Sequence, residues 1–323
     1  MNVNTVRRIK IAKTTKNKNI LSIQEKLAYI KKRKFLYILL IPVFVYLIIF
    51  HYLPIWGLTI AFQDYNPLRG LFASKWVGFK HFEYFFRGRD MWRLLRNTFL
   101  INIYSLLFAF PMPIIFALML NEVRNMRIKK AIQTITYMPH FLSTVVLVGM
   151  VFAVLSPSTG FINTIITKLG GESVYFVTKP EYFRTIYILS GIWAETGWGS
   201  IIYIAAITSI DQSLYEAAEI DGAKKLQQIF HITLPSIAST VVFMLIMRVG
   251  RLLNIGFEKI YLMSTAPVKD VAYVISVFVY EKGIIGGSYS FSAAVGLFNS
   301  IISFALVITA NKISRKISNM GMW

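Results

Sequence analysis

Residues 209–237 read SIDQSLYEAAEIDGAKKLQQIFHITLPSI. Two short amphipathic helices are predicted here, parted at Asp221-Gly222 and closed by Pro235. Ser213 and Glu216 match an S-x-x-E capping box, which puts the first helix start at Ser213. Ala217 and Ala218 are small enough to let another surface come close, and Gly222 suits the turn. Four acids, Asp211, Glu216, Glu219 and Asp221, outnumber Lys224 and Lys225. An acidic, small-residue hairpin has the character of a plug for a basic-lined cleft in a soluble partner.

What flanks this hairpin is apolar. Of 323 residues, 55% are hydrophobic and 15% charged, with a mean hydropathy of +0.56, which places the chain in the membrane class. A bilayer core of ~30 Å needs ~20 apolar residues per helix. Six segments meet that need, at 35–61, 97–120, 131–155, 184–208, 236–256 and 291–310. The first is too long for a signal peptide and is read as a retained span.

An even number of spans puts both termini on one side. The N-terminal tail carries Lys31, Lys32, Arg33 and Lys34 after seven earlier basic residues from Arg7 to Lys26. The loop after segment two carries Arg124, Arg127, Lys129 and Lys130, and the C-terminal tail Lys312, Arg315 and Lys316. The positive-inside rule makes that side cytoplasmic. The expected organisation is a basic cytoplasmic tail (1–34), a six-helix domain (35–310) and a cytoplasmic C-terminal tail (311–323). One loop departs from the rule: residues 62–96, expected outside, hold Arg87, Arg89, Arg93 and Arg96. Within it, Phe79 to Phe86 has the pattern of an interfacial amphipathic helix.

The net charge of +20 follows the ends of apolar segments, which suits anionic lipid rather than nucleic acid. There is no cysteine, so disulfides and thiolate chemistry are excluded. No G-x-x-x-x-G-K-[ST] phosphate loop, H-E-x-x-H or G-x-S-x-G motif occurs. The chain therefore reads as a transport component rather than an enzyme, without a cofactor of its own.

Glu216-Ala217-Ala218, three residues, Gly222, nine residues, Ile232, one residue, Leu234-Pro235 resembles in full the EAA signature of ABC importer permeases. Residues 53–65 (LPIWGLTIAFQDY), 76–85 (WVGFKHFEYF), 97–98 (NT), 137–144 (YMPHFLST), 193–206 (WAETGWGSIIYIAA) and 247–258 (MRVGRLLNIGFE) are similar to sugar permeases of polysaccharide-utilisation systems, of the maltose-importer type. The resemblance implies an all-α, six-span type I permease fold in the cell membrane. It also implies a second, usually different, permease, two ATP-binding subunits that hold ATP and Mg, and an extracellular solute-binding protein delivering an oligosaccharide. Glu216, Ala217, Ala218, Asp221, Gly222, Ile232, Leu234 and Pro235 would then make the ATPase-coupling loop. The same loop serves permeases for amino acids, peptides and polyamines, which remain the alternative. A secondary transporter is disfavoured, since Glu195 is the one acid placed well inside a span.

Polar groups inside apolar spans are costly and mark a path. Segment five holds Arg248 and Arg251, one turn apart in a continuous helix. A central Arg costs about 2.5–3.5 kcal/mol and a Leu returns only ~0.5, so both arginines are placed inward. Segment four offers Trp193, Glu195 and Trp198 among Gly191, Gly197 and Gly199, and segment three His140, Phe141 and Thr144. Tryptophan rings stack on sugars and charged groups bind hydroxyls. By the resemblance, Thr144, Glu195, Trp198, Arg248 and Asn254 line the sugar path. Bland readings stand beside this: Glu195 as the counter-charge of Arg248 or Arg251, Trp193 and Trp198 as interfacial belt or packing residues, His140 as a satisfied core histidine, and Asn97, Asn102 and Asn299 as bonds between helices. The surplus positive charge suggests an acidic sugar such as a uronate oligosaccharide.

Overall fold

A computed structural model describes residues 31–253 and 255–318. The tail up to residue 30, Asn254 and residues 319–323, all named in the expectations above, lie outside the described residues.

Residues up to Gly57 and those from Leu58 form two compact units. The described residues of the first are almost all helical. Lys34–Phe62 (α1) runs for 29 residues with a π turn at Ile48–Tyr52 and a tighter 3-10 stretch from Leu53. No side chain of Lys34–Tyr52 is buried. A helix apolar all round and exposed all round is a membrane span or a buried core helix.

The second unit begins with a two-residue antiparallel ribbon, Gln63↔Trp76 and Asp64↔Lys75. Lys80–Arg87 (α2) follows. It is the amphipathic helix expected at Phe79–Phe86, yet its inner face packs on protein: Phe85 is buried and lies 5.7 Å from the Phe298 ring. Met91–Asn121 (α3) is the second long apolar helix and Tyr289–Ser318 (α13) the third.

Two expected spans are bent. Met126–Tyr137 (α4) passes through a 3-10 turn at Met138–Phe141 into Thr144–Val154 (α5), with 106° between the arms. Pro139 lacks an N–H, and Leu142 is extended. Ser143 restarts the helix by accepting the Val146 N–H at 3.3 Å. Thus 131–155 is not one continuous helix. Phe161–Lys168 (α6) and Pro180–Thr208 (α7) come next. Gln212–Ile220 (α8) and Lys225–Ser236 (α9) form the hairpin. The second bend, 62°, separates α9 from Ala238–Val249 (α10) at Ile237, just after Pro235 and a π turn at Ile229–Thr233. Helix α10 ends at Val249, and Arg251 sits in the following turn, not one helical turn beyond Arg248. Phe257–Met263 (α11) and Ile275–Val279 (α12) precede α13.

Among the described residues, three helices are long and apolar enough to cross a membrane, or five counting each bent pair as one. Helix α7 is also 29 residues long, about 43 Å at 1.5 Å per residue. It is broken up by Gly, Ser, Thr and Glu195. The main core gathers Leu94 and Ile101 (α3), Leu147 (α5), Phe183 (α7), Ile260 (α11), Val277 (α12) and Val295 (α13). A smaller one joins Ala117, Tyr203, Ile207 and Ile237.

The glycines of α7 do not loosen it. A Cβ on Gly197 would stand 2.1 Å from the Thr136 carbonyl oxygen. Its absence is what lets α4 touch α7, the small-residue contact typical of membrane helices. Asn97 ties the interior together. Its amide donates to the carbonyls of Asp270 (2.7 Å) and Tyr273 (3.1 Å), and its oxygen accepts from Arg184 (3.2 Å). Asn102 bonds within its own helix, to the Thr98 carbonyl.

Candidate functional site

The hairpin is shaped by its own residues. Asp211, not Ser213, caps α8: its carboxylate accepts the Ser213 N–H at 3.0 Å. That bond holds the Asp211 carboxyl below the usual carboxylate range. Glu216 is therefore not half of a capping box. It is exposed, with no hydrogen bond or ion pair among the described residues. At the other end Gly222 has φ +75°. The Ala223 N–H reaches the Ala218 carbonyl (2.8 Å) and the Gly222 N–H that of Glu219 (3.1 Å). This is a Schellman stop, and the left-handed position favours glycine.

The second arm is pinned to the first. Tyr215 and Thr233 share a 2.9 Å hydroxyl contact, and Lys225 donates to Glu219 at 3.2 Å. The Lys225 ammonium also holds the Glu219 carboxyl below its usual range. Leu234 packs into the smaller core, Ile232 is half-buried and Pro235 exposed. What faces outward is Glu216, Ala217, Asp221 and apolar Ile220 and Leu226, 87% and 68% exposed. Unpaired acids beside bare apolar side chains have the character of a candidate docking surface.

Some of the candidate path residues lie along one face of α7. Tyr187, Gly191, Glu195 and Trp198 recur at helical spacing on that face. His140, on the 3-10 turn, stacks flat on Trp198 with centroids 4.6 Å apart and planes 4° from parallel. Phe141 meets the same indole edge-on at 5.4 Å. His140 Nδ1 lies 3.2 Å from Glu195 Oε2, within ion-pair distance but unaligned for a hydrogen bond. Arg248 donates to Ser105 Oγ at 2.6 Å. Glu195 thus stands beside His140, and the direct Glu195–Arg248 or Glu195–Arg251 pair expected as the bland reading is not formed.

Lys259, from α11, was missed from the sequence. Its ammonium donates to the Tyr187 carbonyl at 2.8 Å, lies 4.4 Å over the Tyr187 ring and acts electrostatically with Glu195. A Cβ on Gly191 would stand 3.3 Å from that ammonium. The available signal was a lysine directly after the matched 247–258 stretch. Thr144 opens α5 just past the bend. Trp193 sits roughly 200° round α7 from Glu195 and does not join the cluster. Arg251 is exposed in its turn. Among the described residues, no cluster of His, Asp or Glu could hold a metal ion.

A bent, multi-helix apolar body with an exposed acidic hairpin on one loop and a polar seam along one long helix has the character of a membrane transport component. Residues 109–318 match the model of the binding-protein-dependent transport system inner membrane component, and the chain belongs to that family. It is a multi-pass ABC transporter permease of the cell membrane. It is similar to protein LplB of Bacillus subtilis (strain 168), 46% identical over 92% of this chain and 93% of that one. The polygalacturonan/rhamnogalacturonan transport system permease protein YteP of the same organism is 44% identical, covering 90% and 91%. Among solved structures, a chain of a bacterial ABC transporter involved in the import of the acidic polysaccharide alginate matches with TM-score 0.84 and 43% identity, over 91% of this chain and 99% of that one. The same protein type is also known in complex with an alginate pentasaccharide-bound periplasmic protein.

Proposed function

We propose that this chain forms, with a second and different permease, the import path for an acidic oligosaccharide handed over by an extracellular solute-binding protein. The observation that carries the reading is the seam on α7. Arg248 and Lys259 supply two cations against the single carboxylate of Glu195, and the Trp198–His140 stack offers a flat ring surface. Uronate sugars present a carboxylate for the first and an apolar ring face for the second. The names of the relatives, which act on polygalacturonan and alginate, support the same class.

In this reading α7 and the two bent pairs count as spans alongside α1, α3 and α13, giving six spans with both termini cytoplasmic. The basic tail 1–34 and the tail 311–323 lie on that inner face, beside the hairpin 209–237. Two ATP-binding subunits hold ATP and Mg and grip the hairpin. Their closure moves α8 and α9, and the α9–α10 bend passes the movement to Arg248. The seam then alternates between outer and inner access.

Uptake of one oligosaccharide in its uronate and carboxyl-reduced forms tests this, with Arg248→Ser beside wild type. The expected result is a preference of about tenfold or more for the uronate, lost in the variant, as removal of one charge-assisted bond implies. Equal uptake of both forms by wild type would remove acidic sugars from the proposal.

A further inference from the structure

One hollow lies away from the seam. It measures about 670 Å³ and is walled by residues 64–66, 81–91 and 278–291. That is the size of sites that hold small molecules. Its walls are tied across the fold: the Tyr65 N–H donates to Ser290 Oγ at 2.8 Å, and the Tyr65 and Tyr289 rings meet edge-on at 6.2 Å. Tyr84, on the same wall, is edge-on to Phe291 at 5.3 Å.

Charge is what distinguishes this hollow. Its carboxylates are occupied, Asp64 by Lys80 (2.8 Å) and His81 (3.2 Å), and Asp90 by Arg93 (2.5 Å). Arg89 and Lys282 are exposed on the wall and have no carboxylate partner among the described residues. The first turns of α3 and α13 also open here, and their backbone N–H groups favour an anion. The same residues answer a question left by the sequence. Of the four arginines that break the positive-inside pattern, Arg93 has a structural use, bonded to Asp90 and Asp270 and lying over Tyr273. Arg89 has no such partner among the described residues and lies on the wall of the hollow.

We infer that this hollow is a second saccharide site, on the outer side, where Arg89 and Lys282 take the carboxylate of a uronate residue and the rings of Tyr84 and Tyr289 flank its sugar. The inference rests on the acidic-oligosaccharide reading above. A tyrosine-walled concavity suits a sugar residue better than the flat contact of a docking protein.

The test is binding of a tetrameric oligouronate, and of its carboxyl-reduced form, to the purified full-length permease by calorimetry and saturation-transfer NMR. Arg248→Ser should keep the outer site. Arg89→Gln with Lys282→Gln should weaken uronate binding there by about tenfold or more, and Arg89→Lys with Lys282→Arg should restore most of it, separating charge from misfolding. Unchanged uronate affinity in the double Gln variant overturns the inference. So does loss of all binding in Arg248→Ser, which would leave only the seam and the proposed function intact. If the double Gln variant instead alters affinity for the binding protein alone, the hollow is a protein contact and the inference also falls. A wild-type permease that binds only the neutral form sinks both readings.

Discussion

The hairpin of α8 and α9 takes every contact described for its shape from residues 211–236: the Asp211 cap, the Gly222 stop, the Lys225–Glu219 pair and the Tyr215–Thr233 bond. The seam along α7 borrows from three other elements. His140 arrives on a bent turn, Arg248 at a helix end and Lys259 on a short helix more than sixty residues after Glu195. A self-contained element offers a fixed shape that a partner can push as a rigid lever. An assembled one changes when its suppliers move, which is what a path with alternating access requires.

The sharpest break of that contrast is Glu216→Lys. Glu216 makes no bond within the hairpin and does not cap α8, so its replacement removes no internal support. Attachment of the ATP-binding subunits should be lost entirely, measured by co-purification and ATPase assay. Helix content by circular dichroism and oligouronate binding at the seam should stay as in wild type. Retained attachment would mean that the acid is not what the partner grips.

Gly197→Ala attacks the seam through its scaffold. The new methyl would meet the Thr136 backbone oxygen at 2.1 Å, and a backbone atom cannot swing aside. Overpacking of this kind costs about 1–3 kcal/mol. Helix α4 must move off α7 and take the His140 turn with it, breaking the stack on Trp198. Thermal unfolding in detergent should fall by several degrees, and Trp fluorescence should shift. ATPase attachment should be spared, because the hairpin does not depend on that contact. Loss of attachment together with the stack would show that the two regions are one mechanical body.

The same contrast explains what could be read in the sequence. Glu216, Gly222 and Pro235 lie within twenty residues, and the turn at Gly222 follows from local backbone demands. The one misreading there, Ser213 for Asp211 as cap, arose because both residues suit an N-cap and S-x-x-E favoured the later one. Apolar runs located α1, α3 and α13 well, since span length follows from bilayer thickness. They did not show the bends after Tyr137 and Ser236, because hydropathy averages over a short break: Pro139 and the extended Leu142 make the first, Pro235 and a π turn precede the second. Trp198 and His140 were each named, but their stacking depends on the 106° turn. Lys259 was invisible for the same reason: only the fold brings it under Tyr187 and Gly191. Trp193 was chosen by type and falls on the wrong side of α7.

The smallest expected effect comes from Tyr215→Phe. It deletes one hydroxyl from the bond that joins the hairpin's arms and leaves the ring in place. Thr233 keeps its contact with the Gln228 carbonyl, at 3.4 Å, so no buried hydroxyl is stranded. The net cost should be about 0.5–1 kcal/mol, the usual worth of one neutral hydrogen bond. Hydrogen exchange should quicken in α8 and α9 and nowhere on α7, while ATPase attachment persists. Transport per ATP hydrolysed should drop modestly, because a lever with a looser joint passes on less of each stroke. If exchange quickened at Glu195 and Trp198 as well, the hairpin would not be self-contained, and the division between a local lever and an assembled seam would fail.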